Sequence, residues 1–244
     1  MKNKVQGPIP QRCPPPRPNA AGGRQYAPFL PEGIAMLHTA PSILCVTDRT
    51  LCPEHFLSQI SRIAAAGPAG VILREKDLCE SAYRSLAAQV LSLCRQHQVP
   101  CILHTFPSAA RALGATALHL PLPLLRAMPK EERAAFSSLG TSCHSIAEAL
   151  EAQALGATYL LAGHIFDTSC KPGLPGRGLD FLAQVCAAVP LPVYAIGGIT
   201  AETLPGVRRA GARGACFRSG FMTCPDPASY LHTLERSFSH AISP

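Results

Sequence analysis

The sequence predicts a single parallel (β/α)₈ TIM barrel. Eight short apolar runs of strand length alternate with amphipathic stretches from residue 41 onward. A length of 244 residues suits one such barrel without a second domain. The glycine-rich turns come late, after the last strands, where barrels commonly hold phosphate. A doubly wound open sheet would instead carry its Gly-rich loop after the first strand. Here that strand is followed by Asp48-Arg49-Thr50, with no G-x-G-x-x-G.

The expected strands are Ile43–Thr47, Gly70–Arg74, Cys101–His104, Ala117–Leu120, Gly140–Ser142, Tyr159–Gly163, Pro192–Ile196 and Gly214–Arg218. Between them, apolar positions recur every three or four residues over Glu54–Ala66, Ser81–His97, Ile146–Leu155, Leu179–Ala188, Thr203–Ala210 and Pro227–Phe238. Gly67, Gly114, Gly156 and Gly211 stand where helices end.

Residues 1–40 carry eight of the 24 prolines, Pro14-Pro15-Pro16 among them, and no periodicity of either kind. Such a segment cannot offset its ordering entropy by burial, so it reads as a disordered extension of a barrel spanning 41–244. Met36, just before the first strand, offers an alternative translation start. Of the net charge of +7, this segment holds +4 (Lys2, Lys4, Arg12, Arg17 and Arg24 against Glu32), leaving +3 for the rest. That distribution argues against a nucleic-acid surface. No apolar run reaches the ~18 residues of a membrane span, and no secretory leader is evident. A cytoplasmic protein with no membrane or nucleic-acid partner is expected, its oligomeric state left open, a homo-oligomer included. The eleven cysteines form no C-x-x-C pair, and Cys45, Cys101, Cys186 and Cys216 sit in apolar runs as small hydrophobes.

In a barrel the C-terminal strand ends form the active face. Gly197-Gly198 and Ser219-Gly220 would bring bare backbone N–H groups to a phosphate. In Arg74-Glu75-Lys76 the alternation lets the two cations lean inward while Glu75 pairs elsewhere. Both cations suit a carboxylate or a phosphate. Four successive strands end at or near His104, His119, His144 and His164. Such histidines serve as hydrogen-bonded structure, as metal ligands or as an acid/base, and the sequence leaves the three open. The long loop Thr168–Gly178, with Lys171 and Arg177, reads as a cationic flap for an anionic ligand.

Together these segments resemble the thiamine phosphate synthase/TenI superfamily over residues 42–239. The resemblance rests on Val46-Thr47-Asp48-Arg49, Leu73-Arg74-Glu75-Lys76, Ser142-Cys143-His144-Ser145, Ala195-Ile196-Gly197-Gly198-Ile199, and Gly163-His164-Ile165-Phe166-Asp167-Thr168 with Lys171. It implies a barrel that binds a thiazole phosphate. It places the phosphate on Gly198, Ser219 and Thr168, with Lys171 nearby, and a pyrophosphate in the synthases on Arg74, Lys76 and Lys171.

Departures from the synthase pattern point to one branch. Synthases need Mg²⁺ and carry Asn-Asp-Arg where this chain has His104-Thr105-Phe106, and His-Leu-Gly-Gln-x-Asp where it has His119-Leu120-Pro121-Leu122-Pro123-Leu124. A Gln of the pattern is Ile72 here. Leu124 offers no hard oxygen donor. His164 stands where synthases have proline, and Gly176-Arg177-Gly178 follows, as in the TenI branch. The expectation is therefore a thiazole tautomerase, an isomerase that needs no metal or cofactor. In it His164 is catalytic and moves one proton, and Arg74, Lys76, His144, Thr168, Lys171, Gly197, Gly198, Ser219 and Gly220 bind substrate. The alternatives are a thiamine phosphate synthase with a degenerate magnesium–pyrophosphate site and a non-enzymatic regulator.

Overall fold

The computed structural model describes residues 42–168, 171 and 173–239. The expected extension, residues 1–40, lies outside the described residues. Strands β1 (Ser42–Val46), β2 (Gly70–Leu73), β3 (Cys101–His104), β4 (Ala117–Pro121), β5 (Ser138–Cys143), β6 (Tyr159–Gly163), β7 (Val193–Ile196) and β8 (Gly214–Phe217) pair in parallel, each with the next. β1 also pairs with β8, with Leu44 opposite Cys216, which closes the barrel. Closure leaves no sheet edge and gives every strand two covered faces, which is why the strands read as continuous apolar runs.

The period-two alternation sorts the strand residues into two cores. Leu44, Val46, Ile72, Ile102, Tyr159 and Tyr194 pack with one another inside the barrel. Cys45, Val71, Leu73, Leu103 and Leu160 face outward into the larger core under the helices. Inside, a large ring answers a missing side chain: a Cβ on Gly140 would lie 2.0 Å from the Tyr159 ring. That complementarity keeps the interior close-packed.

The helices are α1 (Phe56–Ala66), α2 (Glu80–Gln96), α3 (Pro107–Ala112), α4 (Leu122–Ala127), α5 (Lys130–Arg133), α6 (Ile146–Ala154), α7 (Gly178–Ala188), α8 (Leu204–Arg209), α9 (Ser219–Thr223) and α10 (Pro227–Ser239). α1 buries Phe56, Ile60, Ile63 and Ala64, one stripe at helical spacing, and stops at Gly67 with φ 80°. Gly114, Gly156 and Gly211 also have positive φ, as expected of helix stops. The six expected helices and eight expected strands are present, with ends that coincide or shift by one or two residues. The short helices α3, α4, α5 and α9 went unread because one or two turns are too short for a periodic stripe. Pro107 and Pro123 at the starts of α3 and α4 were the available signal. No helix among the described residues is long and apolar enough to cross a membrane.

Candidate active site

At the C-terminal ends of β1 and β2, Glu75 is only 3% exposed. Its carboxylate accepts the Thr47 hydroxyl at 2.6 Å and the Arg49 backbone N–H at 3.0 Å. Burial raises the Glu75 carboxyl above its ordinary range, and these two bonds oppose that. Glu75 therefore clasps β1 to β2, as the alternation predicts, and Arg74 falls on the side of the interior residue Ile72. Arg74 is half-buried and Lys76 exposed. Asp48 meets Arg218 at 2.9 Å, an ion pair that ties the ends of β1 and β8. Arg218 follows the interior residue Cys216 at the strand period, the signal by which it could have been found.

At β3 and β4 the rings of His104 and His119 stack, centroids 5.4 Å apart and planes within 18°. Both are buried. His119 has both ring nitrogens engaged, Nδ1 with the Tyr159 hydroxyl at 3.1 Å and Nε2 with the Ser142 hydroxyl at 3.0 Å. Burial, then His119, Arg74 and Lys76, push His104 down to about 2. Burial, then Arg74, pushes His119 down to about 3. Both rings are neutral at physiological pH. The charge of Arg74 adds to the lowering of both. Thr105 lies 2.5 Å from His104 Nδ1 through its hydroxyl and sits at φ 73°, a left-handed backbone unusual for a β-branched residue. Of the three roles open to these histidines, the geometry gives His104 and His119 the structural one.

At β5 and β6 the Ser145 hydroxyl caps α6 by accepting the Glu148 N–H at 3.1 Å, while Glu148 accepts the His144 N–H at 2.5 Å. The His144 backbone is thereby held, and its Nδ1–H donates to the Gly163 carbonyl at 2.6 Å. That bond fixes the tautomer and leaves Nε2 as the basic nitrogen. His164 is 6% exposed, and its Nε2–H donates to the Leu174 carbonyl at 3.2 Å, across the flap. Its Nδ1 is buried with no partner.

The flap is rooted by three backbone donors: Gly176 N–H to Asp167 Oδ1 at 2.6 Å, Arg177 N–H to the His164 carbonyl at 3.0 Å, and Gly178 N–H to the Ile165 carbonyl at 2.9 Å. Asp167, Thr168, Lys171 and Leu174 line an open cleft of about 540 Å³ on it.

After β7, Gly197 and Gly198 have φ of 101° and 65°. A Cβ on Gly197 would lie 2.5 Å from the His164 Cβ, and one on Gly198 2.3 Å from the Asp167 carbonyl. The turn interlocks with the strand-6 loop, and only glycine fits it on both counts. Ser219 and Gly220 open α9, but a Cβ on Gly220 would lie 2.0 Å from the Tyr230 hydroxyl. The missing side chain at Gly220 thus accommodates Tyr230, a packing reason absent from the sequence pattern.

The structure brings the expected residues to one end of the barrel in two groups. Arg74 and Lys76 stand with His104 and His119 on the β2–β4 side. His144, His164, the flap with Thr168 and Lys171, and the glycine turns stand on the β5–β8 side. A phosphorylated ligand could meet backbone N–H groups on one side and cations on the other.

The sequence profile of the family described as thiamine monophosphate synthase (TMP-TENI) matches residues 43–221. A thiamine-phosphate synthase of Roseiflexus sp. is 34% identical over 207 residues, 82% of this chain and 86% of that protein. One from Thermus thermophilus is 35% identical over 183 residues, 74% of this chain and 88% of that protein. Among solved structures, a thiamine phosphate pyrophosphorylase from Pyrococcus furiosus superposes with a TM-score of 0.71 at 27% identity, covering 83% of this chain and 98% of that one. These relatives overturn the expected thiazole tautomerase. They are named as synthases, which are transferases, so the isomerase assignment does not hold, and membership of the TenI branch does not follow from Gly163-His164 and Gly176-Arg177-Gly178.

Proposed function

The chain belongs to the thiamine monophosphate synthase family, and on that premise we propose that it is a transferase of the thiamine phosphate synthase type, with a divergent pyrophosphate site. It would join a thiazole phosphate to a pyrimidine diphosphate, whose bond to pyrophosphate breaks as the new one forms. The observation that carries this reading is the 34–35% identity to thiamine-phosphate synthases over most of the chain.

The thiazole phosphate would rest on the backbone of Gly197-Gly198 and on Ser219 and Gly220, with Thr168 and Lys171 closing over it. Arg74, Lys76 and Lys171 would face the pyrophosphate. His144, its tautomer fixed by the Gly163 carbonyl, would offer Nε2 as a hydrogen-bond acceptor to a ring substituent. His164 would hold the flap through Leu174 and so set the position of Thr168 and Lys171. The ligand is a small phosphorylated molecule.

The resemblance implies Mg²⁺ for the leaving group, but the residues present do not fit it. Mg²⁺ wants hard oxygen donors, chiefly carboxylates. Thr105 has its hydroxyl on His104, and Leu124 is a hydrocarbon side chain, 42% exposed on α4. Asp48 and Glu75, at the nearby strand ends, are engaged with Arg218 and with Thr47 and Arg49.

The test is direct. Incubate the full chain with thiazole phosphate and the pyrimidine diphosphate, and separate the products by chromatography, with Mg²⁺ and with EDTA. Thiamine phosphate and pyrophosphate should appear in equal amounts. Absence of both products in Mg²⁺ as well as in EDTA would overturn the transferase reading.

A further inference from the structure

We propose that Tyr83 is a positioning residue. Its buried hydroxyl sets where the last residues of β2 and β3 stand, and through them the β2–β4 side of the mouth. The proposal rests on the transferase reading only for the substrate this side takes, the pyrimidine diphosphate.

Tyr83 stands in the first turn of α2 and is fully buried. Its O–H donates to the Leu73 carbonyl at 2.8 Å, and the same oxygen accepts the His104 N–H at 2.7 Å. One hydroxyl from a helix thus ties the last residue of β2 to the last residue of β3. Its ring packs on Phe106, with centroids 4.8 Å apart. Burial raises the phenol well above its ordinary value, so it stays protonated and donates while it accepts.

Both segments that leave these strands carry residues of the mouth. From Leu73 the chain runs through Arg74, Glu75 and Lys76 into α2, where the Tyr83 N–H bonds the Cys79 carbonyl at 2.9 Å. The Tyr83–Leu73 bond closes that loop on its own starting point. On the other flank of β2, the Arg74 N–H donates to the Thr47 hydroxyl at 2.9 Å. Two hydroxyls therefore pin the root of the loop, one on each side. From His104 the chain runs into Thr105, at φ 73°, and Phe106. Tyr83 holds this segment at both ends, with its hydroxyl at His104 and its ring at Phe106.

Packing alone does not ask for a hydroxyl here. Burying one costs about what its hydrogen bonds return, and phenylalanine would fill the same space. The register that sets Leu73 opposite Leu103 also lets a freed His104 N–H turn to the Leu73 carbonyl. What the hydroxyl adds is a fixed placement of the two strand ends, and with them of Arg74, Lys76 and His104. Placement matters to catalysis because a displacement of about 1 Å can cost a rate on the order of 100-fold.

The experiment is Tyr83→Phe in the full chain, with Phe106→Leu as the packing control. Turnover is measured in Mg²⁺ with each substrate varied in turn, and backbone amide exchange is followed by NMR without ligand. Tyr83→Phe should raise the KM for pyrimidine diphosphate about tenfold and leave that for thiazole phosphate within about twofold. It should speed amide exchange at residues 74–76 and 104–106 alone. Phe106→Leu keeps the hydroxyl bonded, so it should lower the thermal midpoint and leave both KM values within about twofold. A folded Tyr83→Phe with both KM values unchanged, or both raised alike, overturns the proposal and leaves the transferase reading standing. A Tyr83→Phe chain that does not fold overturns it too, because the hydroxyl would then hold the fold and not the mouth. So does a Phe106→Leu chain that copies the Tyr83→Phe kinetics. A parent that forms no thiamine phosphate sinks the transferase reading, and amide exchange then decides the role of Tyr83. Faster exchange confined to those two segments sustains that role, and unaltered exchange removes it.

Discussion

The two sides of the barrel mouth are built on different principles. On the β6–β8 side the site is mostly backbone. Gly197 and Gly198 hold left-handed conformations against the 163–167 segment, and three main-chain donors root the flap. On the β2–β4 side it is mostly side chain: a stacked neutral histidine pair, a buried glutamate clasp and a group of cations. Both sides keep residues that match the family pattern, Leu73-Arg74-Glu75-Lys76 on one and Ala195-Ile196-Gly197-Gly198-Ile199 on the other; the departures at Ile72, Thr105 and Leu124 fall on the side-chain side, and the one at His164 on the backbone side. A turn in which a Cβ meets backbone within 2.3 Å has little room to vary. A wall of side chains can exchange its chemistry while the barrel beneath it stays closed.

The largest test of that contrast is Gly198→Ala. Its Cβ would meet the Asp167 carbonyl oxygen at 2.3 Å, at φ 65°. Overpacking and a left-handed alanine together should cost about 3 kcal/mol, read as a drop in the urea midpoint. A loss below about 1 kcal/mol would mean that the turn is pliable and the contrast false.

The second test sharpens the side-chain half through pH. His104 and His119 titrate lower when folded than the ordinary value of 6.5. Folding therefore favours their neutral forms. The stability they permit is complete above about pH 6.5 and falls as the pH drops toward their folded values of about 2 and 3. Each ring should steepen the loss by up to about 1.4 kcal/mol per pH unit. In denaturant melts between pH 6.5 and 4.5, His104→Asn should show a shallower slope than the parent. Equal slopes would show that the pair is hydrated and titrates freely.

The smallest effect is expected at Leu124→Asp. The side chain is 42% exposed on α4, so stability should stay within about 0.5 kcal/mol of the parent. A thermal scan that shows a larger loss would mean that packing, and not only chemistry, keeps a carboxylate from this position.

Much of this architecture was legible in the sequence, for a local reason. Strand and helix periods are set by neighbours two to four residues apart, so the eight-strand alternation, the helix stops at Gly67 and Gly156, and the outward turn of Glu75 could be read directly. The choice between isomerase and transferase was not legible in that way. The Gly163-His164 pair pointed to proton transfer, and the relatives correct it.

What the sequence by itself determined is the barrel, its interior alternation and which residues reach the mouth. Only the tertiary structure decided how those residues are committed. His104 stacks on His119, His119 bonds Tyr159 and Ser142, His144 holds the Gly163 carbonyl, His164 holds the flap, and Tyr230 fills the space at Gly220. Most of these partners lie ten to forty residues apart in the chain. Strand register and barrel closure bring them within hydrogen-bond or van der Waals reach, and no local period encodes such distances.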